Sequence, residues 1–124
     1  MTTKQVNKIG FGSLRVNKVN DDMAEVFVYG DIGGWMDGVD AKEFARELKA
    51  LKVTDITARI NSGGGSVFEG QAIYNSLVNH PARVNVVIDG IAASIASVIA
   101  MAGDNISITE GSHIMVHKPW SIAM

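Results

Sequence analysis

The sequence predicts an α/β fold in which most strands of one sheet run parallel. Short runs rich in β-branched and aromatic residues alternate with amphipathic or apolar segments of about 10–13 residues, as in strand–helix–strand units. Hydrophobic residues make up 47% and charged residues 19% of the chain, an ordinary globular composition. Because 124 residues match the size of one domain, we expect a single domain over residues 1–124, without internal repeats.

The first predicted strands lie near the amino terminus. Residues 1–23 are mixed and alternate only weakly, so we expect an irregular segment or an edge strand. Residues 24–29 form a β-branched and aromatic run that Gly30 closes, which is typical of a buried strand. The glycine-rich residues 33–38 follow as a loop.

The first helix is predicted over residues 41–52. Its apolar side chains Phe44, Leu48 and Leu51 recur at i, i+4 and i+7, while most charged side chains lie elsewhere. Asp40 stands where an N-cap residue would accept a hydrogen bond from a free amide. The segment is therefore an amphipathic helix with one face for the core.

A second strand and helix follow. The strand at residues 55–60 precedes three glycines, and Ser66 with Glu69 forms the Ser-x-x-Glu pattern of a capping box. We expect the helix to cover residues 67–79 and to end at the His-Pro pair that follows, because proline cannot continue a helix.

The last part of the chain predicts a buried helix between short strands. The strand at residues 83–89 is turned by Gly90, and residues 92–102 are apolar on every side, as in a helix that is buried all round. Residues 106–109 and 113–117 are two further short strands.

The charge and composition exclude several classes of function. The 11 Lys and Arg against 13 Asp and Glu give a net charge of −2, without a basic run for nucleic acid or an anionic membrane. Cysteine is absent, which removes disulfides, thiolate nucleophiles and cysteine-bound zinc. No signal-peptide core and no apolar run of ~20 residues occurs, so we expect a cytoplasmic protein.

The first candidate site is the turn formed by Gly63, Gly64 and Gly65 between a strand and a capped helix. Such a turn allows positive φ angles, and its free amides can hold a negatively charged oxygen. The phosphate-binding patterns do not fit, since no lysine follows and Phe68 stands where a dinucleotide-binding turn needs a small residue. The turn is either a tight connection without a ligand or a site for a negative oxygen.

The second candidate site is Ser94, which follows a strand, a glycine turn and two alanines at the start of the buried helix. Its Oγ could attack a carbonyl carbon while the Ile95 N–H stabilises the oxyanion. The alternative is that small residues here only let helices pack closely, and the lipase-type Gly-x-Ser-x-Gly pattern is absent. Ser97 is a weaker candidate, whereas capping explains Ser66 and the turn explains Ser62.

A serine nucleophile requires a base, and the chain has three histidines. His80 stands at a helix end, where it can contact terminal carbonyls. His113 and His117 are four residues apart on one predicted strand, so a zinc pair is conceivable, but it lacks a third ligand and we expect no metal. His117, at the strand end, can point into a cleft and is the best candidate base, with a structural role as the alternative.

Four stretches together carry a family resemblance: VFVYGDI at 26–32, INSGGGSV at 60–67, DGIAASIA at 89–96 and IMVHKPW at 114–120. In this order they resemble the Clp-type serine peptidases, the ClpP family. The sequences HPA at 80–82 and AMAGD at 100–104 are similar to the phage and prophage branch, whose members are head-maturation or capsid-maturation proteases.

This resemblance implies roles for the candidate residues. Ser94 would be the nucleophile and His117 the general base, with the amides of Gly65 and Ile95 as the oxyanion hole. Four further residues of the turn would pair with an extended polypeptide substrate as an added strand: Gly63, Gly64, Ser66 and Val67. The implied fold is a superhelix of ββα units shared with crotonases, assembled into rings that are typically heptameric, and no cofactor is implied.

Two departures from the family pattern are visible. Gly63 stands where the family usually has proline. The family's third catalytic residue, an Asp, and its long handle helix come after the His-x-Pro segment, and Asp31, Asp37, Asp89 and Asp104 all precede it. We therefore expect a piece of a longer gene product without the handle region. Losing the orienting Asp costs on the order of 10⁴ in turnover, so this chain alone is expected to be a poor or inactive peptidase.

Three alternatives remain open from the sequence. A crotonase-like enzyme acting on an acyl thioester would need a catalytic carboxylate after the glycine turn, and only Glu69, already used by the capping box, is available. A ring-forming scaffold with a decayed site would need no chemistry. A Ser-Lys peptidase of the same fold would have to use Lys118, beside His117.

Overall fold

The computed structural model describes residues 13–33 and 41–116, which form one sheet and three helices. In chain order the elements are β1 (Ser13–Lys18), β2 (Met23–Tyr29), α1 (Ala41–Ala50), β3 (Asp55–Ser62), α2 (Val67–Asn79), β4 (Arg83–Ala93), α3 (Ile95–Ala100), β5 (Asn105–Ile108) and β6 (His113–Met115). Within the described ranges, no helix has the length and apolarity needed to cross a membrane.

The sheet is mostly parallel, as the alternation of strands and helices predicts. Its strand order is β1-β2-β3-β4-β5, and β6 pairs with the carboxyl-terminal part of β4. Only β1 is antiparallel to its neighbour, β2, so the expected edge strand is confirmed for residues 13–18. The carboxyl ends of β2, β3 and β4 consequently lie side by side, which is where ligands bind in open α/β sheets.

The core lies on one face of the sheet. Alternate residues of β3, namely Ile56, Ala58 and Ile60, are fully buried and belong to one apolar cluster with side chains of all three helices. The predicted inward faces of the helices are confirmed by burial of Phe44 and Leu48. The side chains on the opposite face of β2, β3 and β4 are mostly half-buried.

Two predicted boundaries are wrong at the junction of β4 and α3. The strand does not stop at Gly90 but continues to Ala93, because Ala92 pairs with Ser62 of β3 and with Ile114 of β6. The helix therefore begins at Ile95 rather than at residue 92, and Met101 is its C-cap. Strand pairing on both sides has outweighed the helical propensity of the two alanines.

Smaller differences occur at two other ends. Helix α1 ends at Ala50, two residues before the predicted end, and Leu51 N–H donates to the Leu48 carbonyl in a tighter last turn. Strand β6 ends at Met115, so the predicted strand over 113–117 is too long within the described residues. His117, Asp40 and most of the predicted loop at 33–38 lie outside the described residues.

The capping prediction for α2 is half correct. The helix covers Val67–Asn79 as predicted, and Ser66 Oγ accepts from Glu69 N–H at 3.2 Å. The Glu69 carboxylate does not return to Ser66 but accepts from the Ala41 N–H of α1 at 3.0 Å. His80 is the C-cap of α2, and its N–H donates to the Leu77 carbonyl at 3.2 Å. Its Nε2 lies 3.2 Å from the carbonyl oxygen of Leu51, the residue after α1.

Candidate active site

Ser94 lies in a sharp turn between β4 and α3. Its backbone angles are φ 58° and ψ −130°, and it is the one non-glycine with positive φ among residues 13–33 and 41–116. The turn is held by Ser94 N–H donating to the Met115 carbonyl, and by Ser97, whose amide and Oγ both donate to the Ser94 carbonyl. The buried Ser97, the weaker candidate, thus supports the turn that presents Ser94.

The glycine turn lies directly against this serine. A Cβ placed on Gly64 would be 2.7 Å from the Cβ of Ser94 and 3.3 Å from its Oγ. Gly64 itself has φ 110°, a conformation that side-chain-bearing residues rarely adopt. The glycine turn and Ser94, the two candidate sites that the sequence predicts, are therefore in contact. Only a glycine at position 64 allows the backbone of the turn to approach Ser94 so closely.

The shape of the glycine turn is fixed by its contacts with the segment after β2. Ile32 N–H donates to the Gly64 carbonyl at 3.0 Å, and Ser66 N–H donates to the Ile32 carbonyl at 2.8 Å. On the other side, Gly64 N–H donates to Oγ of the buried Ser62, which confirms that Ser62 serves the turn. Gly65 forms an isolated parallel β-bridge with Ile32, and a Cβ on Gly65 would lie only 2.2 Å from the Ile32 carbonyl oxygen.

Two backbone amides remain available beside Ser94. In the described part of the chain, the N–H groups of Gly65 and Ile95 donate to no acceptor. Gly65 is exposed, and Ile95 N–H belongs to the first residue of α3. Amides of this kind can stabilise the negative oxygen that develops when a hydroxyl attacks a carbonyl.

The residues of β3 and β4 that lead to the site are joined by an irregular register. Ile60 pairs with Ile88 and Ser62 with Ala92, so the single Asn61 faces three residues of β4, Asp89 to Ile91. Asn61 Oδ1 accepts from Ile91 N–H at 3.2 Å. A Cβ on Gly90 would lie 2.5 Å from this Oδ1, so Gly90 makes room for the Asn61 side chain.

A polar cluster that the sequence analysis missed lies at the same strand ends. Arg59 donates two hydrogen bonds to Asp89, Nε to Oδ2 at 2.9 Å and Nη2 to Oδ1 at 2.8 Å. Tyr29 Oη also donates to Asp89 Oδ2, at 2.6 Å. The signal was present in the sequence, because Tyr29, Arg59 and Asp89 all fall on the outward positions of alternating strands.

The cluster shifts the pKa values of its members. Burial raises the pKa of the Asp89 carboxyl, but the hydrogen bonds from Arg59 and Tyr29 outweigh it and leave that pKa below its usual value. Burial, followed by the hydrogen bond to Asp89, raises the pKa of Tyr29 to about 12. Asp89 is therefore a carboxylate that is committed to two partners.

The remaining predicted site residues are distributed around the turn. Ser66 caps α2, while Gly63 and Val67 are exposed beside it. His113 is exposed on β6 and pairs with Ile91 through the backbone. Among the described residues, no three metal-binding side chains converge. The candidate base His117 lies outside those residues, so its position relative to Ser94 stays a prediction.

The sequence is similar to curated peptidase subunits. A family model described as Clp protease matches residues 16–124. The ATP-dependent Clp protease proteolytic subunit of Ligilactobacillus salivarius (strain UCC118) is 37% identical over 109 residues, covering 82% of this chain and 46% of that protein. Proteolytic subunit 3 of Rhodococcus jostii (strain RHA1) is 39% identical over 93 residues, 69% of this chain and 46% of that protein. The chain thus spans less than half the length of these relatives.

Solved structures agree on the fold. ClpP1 from Listeria monocytogenes superposes with a TM-score of 0.66 at 28% identity, covering 77% of this chain and 56% of that one. An enoyl-CoA hydratase from Mycobacterium avium subsp. paratuberculosis K-10 gives a TM-score of 0.64 at 18% identity over 86% of this chain and 48% of that one, a likeness of fold alone. The predicted α/β fold of the ClpP and crotonase type is confirmed. The family model and the relatives together show that this chain belongs to the Clp protease family.

Proposed function

We propose that the protein is a serine endopeptidase in which Ser94 is the nucleophile and the amides of Gly65 and Ile95 form the oxyanion hole. The observation that carries this proposal is the strained turn at Ser94, which is in contact with Gly64. The neighbouring amides of Gly65 and Ile95 have no acceptor among the described residues. Strained backbone is stored where a structure holds a reactive group in place. A merely structural serine would have no need of a positive φ.

The proposed chemistry is acyl transfer in two steps. Ser94 Oγ attacks the carbonyl carbon of the scissile peptide bond, and its proton passes to His117, while the negative oxygen accepts hydrogen bonds from the two amides. The C–N bond breaks as His117 returns the proton to the leaving amine. Water then attacks the acyl-enzyme by the same route and frees the serine.

The exposed edge of the glycine turn fits an extended polypeptide. The contact with Ile32 uses the Gly64 carbonyl and the Ser66 amide, so the backbone groups on the other edge of residues 63–67 are directed away from Ile32. We propose that Gly63 and Val67 pair with the substrate as an added strand, while Gly64 and Ser66 hold that strand in place through Ile32. No cofactor or metal takes part in this mechanism.

Three of the acidic side chains that the structure describes near these strands are already engaged and do not serve as the orienting carboxylate. Asp89 is engaged by Arg59 and Tyr29, and Asp104 accepts from Val84 N–H at 2.8 Å at the opposite end of β4. The Glu69 carboxylate is held by α1 and is not free to act as the carboxylate of a crotonase-like enzyme.

For the biological setting we propose maturation of a phage capsid or scaffold protein. The support is the resemblance of residues 80–82 and 100–104 to the phage branch. We further propose that residues 1–124 form one peptidase head domain of a homo-oligomeric ring in the cytoplasm of a bacterial host. Cleavage of the capsid or scaffold protein encoded beside this gene, compared with casein, tests that setting.

A fluorophosphonate probe tests the chemistry, because it reports one covalent event and does not require turnover. We expect the probe to label wild-type protein on Ser94, and Ser94→Ala to abolish labelling. Ser76→Ala, which changes an exposed serine of α2, is the matched control and should label like wild type. His117→Ala should slow labelling by roughly 10³-fold or more, whereas His113→Ala should not. Absence of labelling in wild type would favour a crotonase-like enzyme or a non-catalytic scaffold.

A further inference from the structure

We propose that Tyr29, Arg59 and Asp89 are positioning residues that hold the Ser94 turn in place against the glycine turn. The inference rests on the proposed function, since it assigns these residues to the geometry of that site. Among the described residues, none of the three is hydrogen-bonded to Ser94, so they would act through the strands that carry them.

The three residues lie on three neighbouring parallel strands: Tyr29 ends β2, Arg59 lies in the second half of β3, and Asp89 directly follows the last regular pair of β4 with β3. Each lies a few positions before a segment of the site: Tyr29 before Ile32, Arg59 before the glycine turn, and Asp89 before Ser94. A link among these three side chains therefore ties together the starting points of the segments that meet at Ser94.

The hydrogen bonds among these side chains cross the irregular part of the β3–β4 pairing. Regular pairing of β3 with β4 stops after Ile60 and Ile88 and resumes only at Ser62 and Ala92. A bulge of this kind leaves residues unpaired and bends the strand. Across this gap, the position of β4 relative to β3 depends on side chains.

Two side-chain connections replace the missing ladder bonds. Arg59 of β3 donates hydrogen bonds to both carboxylate oxygens of Asp89, and Asn61 Oδ1 of β3 accepts from Ile91 N–H. Planar, bidentate arginine–carboxylate pairs fix direction as well as distance. The hydrogen bond from Tyr29 to Asp89 connects β2 to the same pair. Glu25, also of β2, lies 3.9 Å from Nη1 of Arg59.

The consequence for Ser94 follows from its distance along the chain. Only four residues separate Asp89 from Ser94, so a slip at the bulge would move Oγ relative to the amides of Gly65 and Ile95. A displacement of about 1 Å at a reacting group can cost roughly 100-fold in rate. Loss of the Arg59–Asp89 pair should lower the rate at which Ser94 attacks more than it lowers the affinity for the substrate or probe.

The test compares two Asp→Asn substitutions, one within β4 and one at a carboxylate that accepts from the start of β4. Asp89→Asn removes the charge that Arg59 and Tyr29 share, whereas Asp104→Asn alters a carboxylate of similar chemistry at the start of the strand. Labelling by the fluorophosphonate probe is resolved into the maximal inactivation rate and the probe affinity. We expect Asp89→Asn to lower the maximal rate by roughly tenfold or more with unchanged affinity, and Asp104→Asn to match wild type in both.

Two further variants keep the inference open to refutation if Asp89→Asn fails to fold. Tyr29→Phe removes one hydrogen bond and little volume, and should reduce the maximal rate by about threefold to tenfold. The exchanged pair, Arg59→Asp with Asp89→Arg, should recover much of the rate lost in either single substitution. Equal rates in the Asp89 and Asp104 variants, or recovery of Tm without recovery of rate, would show that the cluster only stabilises the fold.

A second readout separates this inference from the proposed function. Amide hydrogen exchange at Ile91 and Ser94 should be roughly tenfold faster in Asp89→Asn than in Asp104→Asn, whether or not the protein is an active peptidase. An unlabelled wild type with this exchange pattern would overturn the proposed function but retain the positioning role. Labelled wild type with equal exchange in the two variants would overturn the positioning role alone.

Discussion

At Ser94, the backbone conformation and the side-chain surroundings have different origins. A residue with a Cβ at φ 58° costs about 1–3 kcal/mol, and the pairing with β6 together with Ser97 holds it there. The sequence lacks the Gly-x-Ser-x-Gly pattern of lipases, yet the structure has a comparably sharp strand-to-helix turn. The motif was a poor guide here because the neighbouring backbone, not the flanking residue types, imposes the turn.

The glycine turn contains two positions with opposite tolerance to a side chain. Gly64 has φ 110° and faces Ser94 at contact distance, whereas Gly63 has open space around it and no positive φ. We expect Gly63→Ala to be neutral or to stabilise the fold by about 0.4–1 kcal/mol, because it restricts the unfolded chain. Gly64→Ala should destabilise the fold and displace Ser94.

Urea unfolding together with probe labelling checks this pair. Gly63→Ala should keep the wild-type labelling rate, and Gly64→Ala should lose labelling even where the protein is still folded. The interpretation of the turn would be wrong if both substitutions had the same effect. The expected tolerance at Gly63 follows from the open space around it, since nothing in the described structure lies within 4 Å of a Cβ at this position.

At the scale of elements, α2 and α3 pack through one close contact. A Cβ on Gly70, in the first half of α2, would lie 2.3 Å from Cγ1 and 3.2 Å from Cβ of Ile95. Gly70 is buried, and Ile95 is the first residue of α3. Glycine costs helical propensity, so its place inside α2 indicates that the neighbouring helix needs the room.

A double-mutant cycle measures this packing. Gly70→Ala should destabilise the fold by about 1–3 kcal/mol despite the better helix propensity of alanine, because the added methyl group meets Ile95. In the Ile95→Ala background the same change should cost much less. Ile99→Ala is the control, because Ile99 is a buried residue of α3 that is not among the nearest neighbours of a Cβ at Gly70, and its effect should add to that of Gly70→Ala within about 0.5 kcal/mol.

Chemical denaturation of the three single and two double variants gives these free energies of unfolding. Additivity in both backgrounds would contradict the proposed contact. A stabilising effect of Gly70→Ala would do so as well, since helix propensity would then have outweighed packing.

The elements differ in how far the sequence could define them. Helix α2 was predicted at both ends, because Ser66 and the His-Pro pair act locally on the backbone. The boundary between β4 and α3 was misplaced by three residues, because Ala92 and Ala93 suit a helix but are paired by β3 and β6. Capping residues and proline define the ends of a helix locally, but pairing with strands that are distant in sequence can shift such an end.

For the whole molecule, the cluster of Tyr29, Arg59 and Asp89 makes stability depend on pH at both extremes. The lowered pKa of Asp89 stabilises the fold above about pH 3.8, its value in an unfolded chain, and this contribution is lost as pH falls through the lower folded pKa. The pKa of Tyr29, raised to about 12, stabilises the fold below pH 10.0, and this is lost as pH rises from 10.0 towards 12.

Absorbance titration of the tyrosines and unfolding at a series of pH values check both limbs. We expect one of the two tyrosines to ionise near pH 12 and this step to vanish in Tyr29→Phe. In Asp89→Asn the tyrosine ionisation should move towards lower pH, because the hydrogen bond to a carboxylate is lost. The loss of stability at acidic pH should also become shallower in this variant. A step that stays at the wild-type pH in Asp89→Asn would contradict the contribution of the Asp89 hydrogen bond and leave burial as the cause of the raised pKa.

The sequence by itself determined the order and type of the described elements, the buried faces of the helices, and the two segments that form the site. These features depend on hydrophobic periodicity, caps and glycine turns, which act over a few residues. Only the tertiary structure decided that Gly64 lies against Ser94, that β4 passes through a bulge to Ala93, and that Arg59 and Tyr29 converge on Asp89. The reason is that parallel strands bring together residues about 30 positions apart, and no local pattern records which of them will meet.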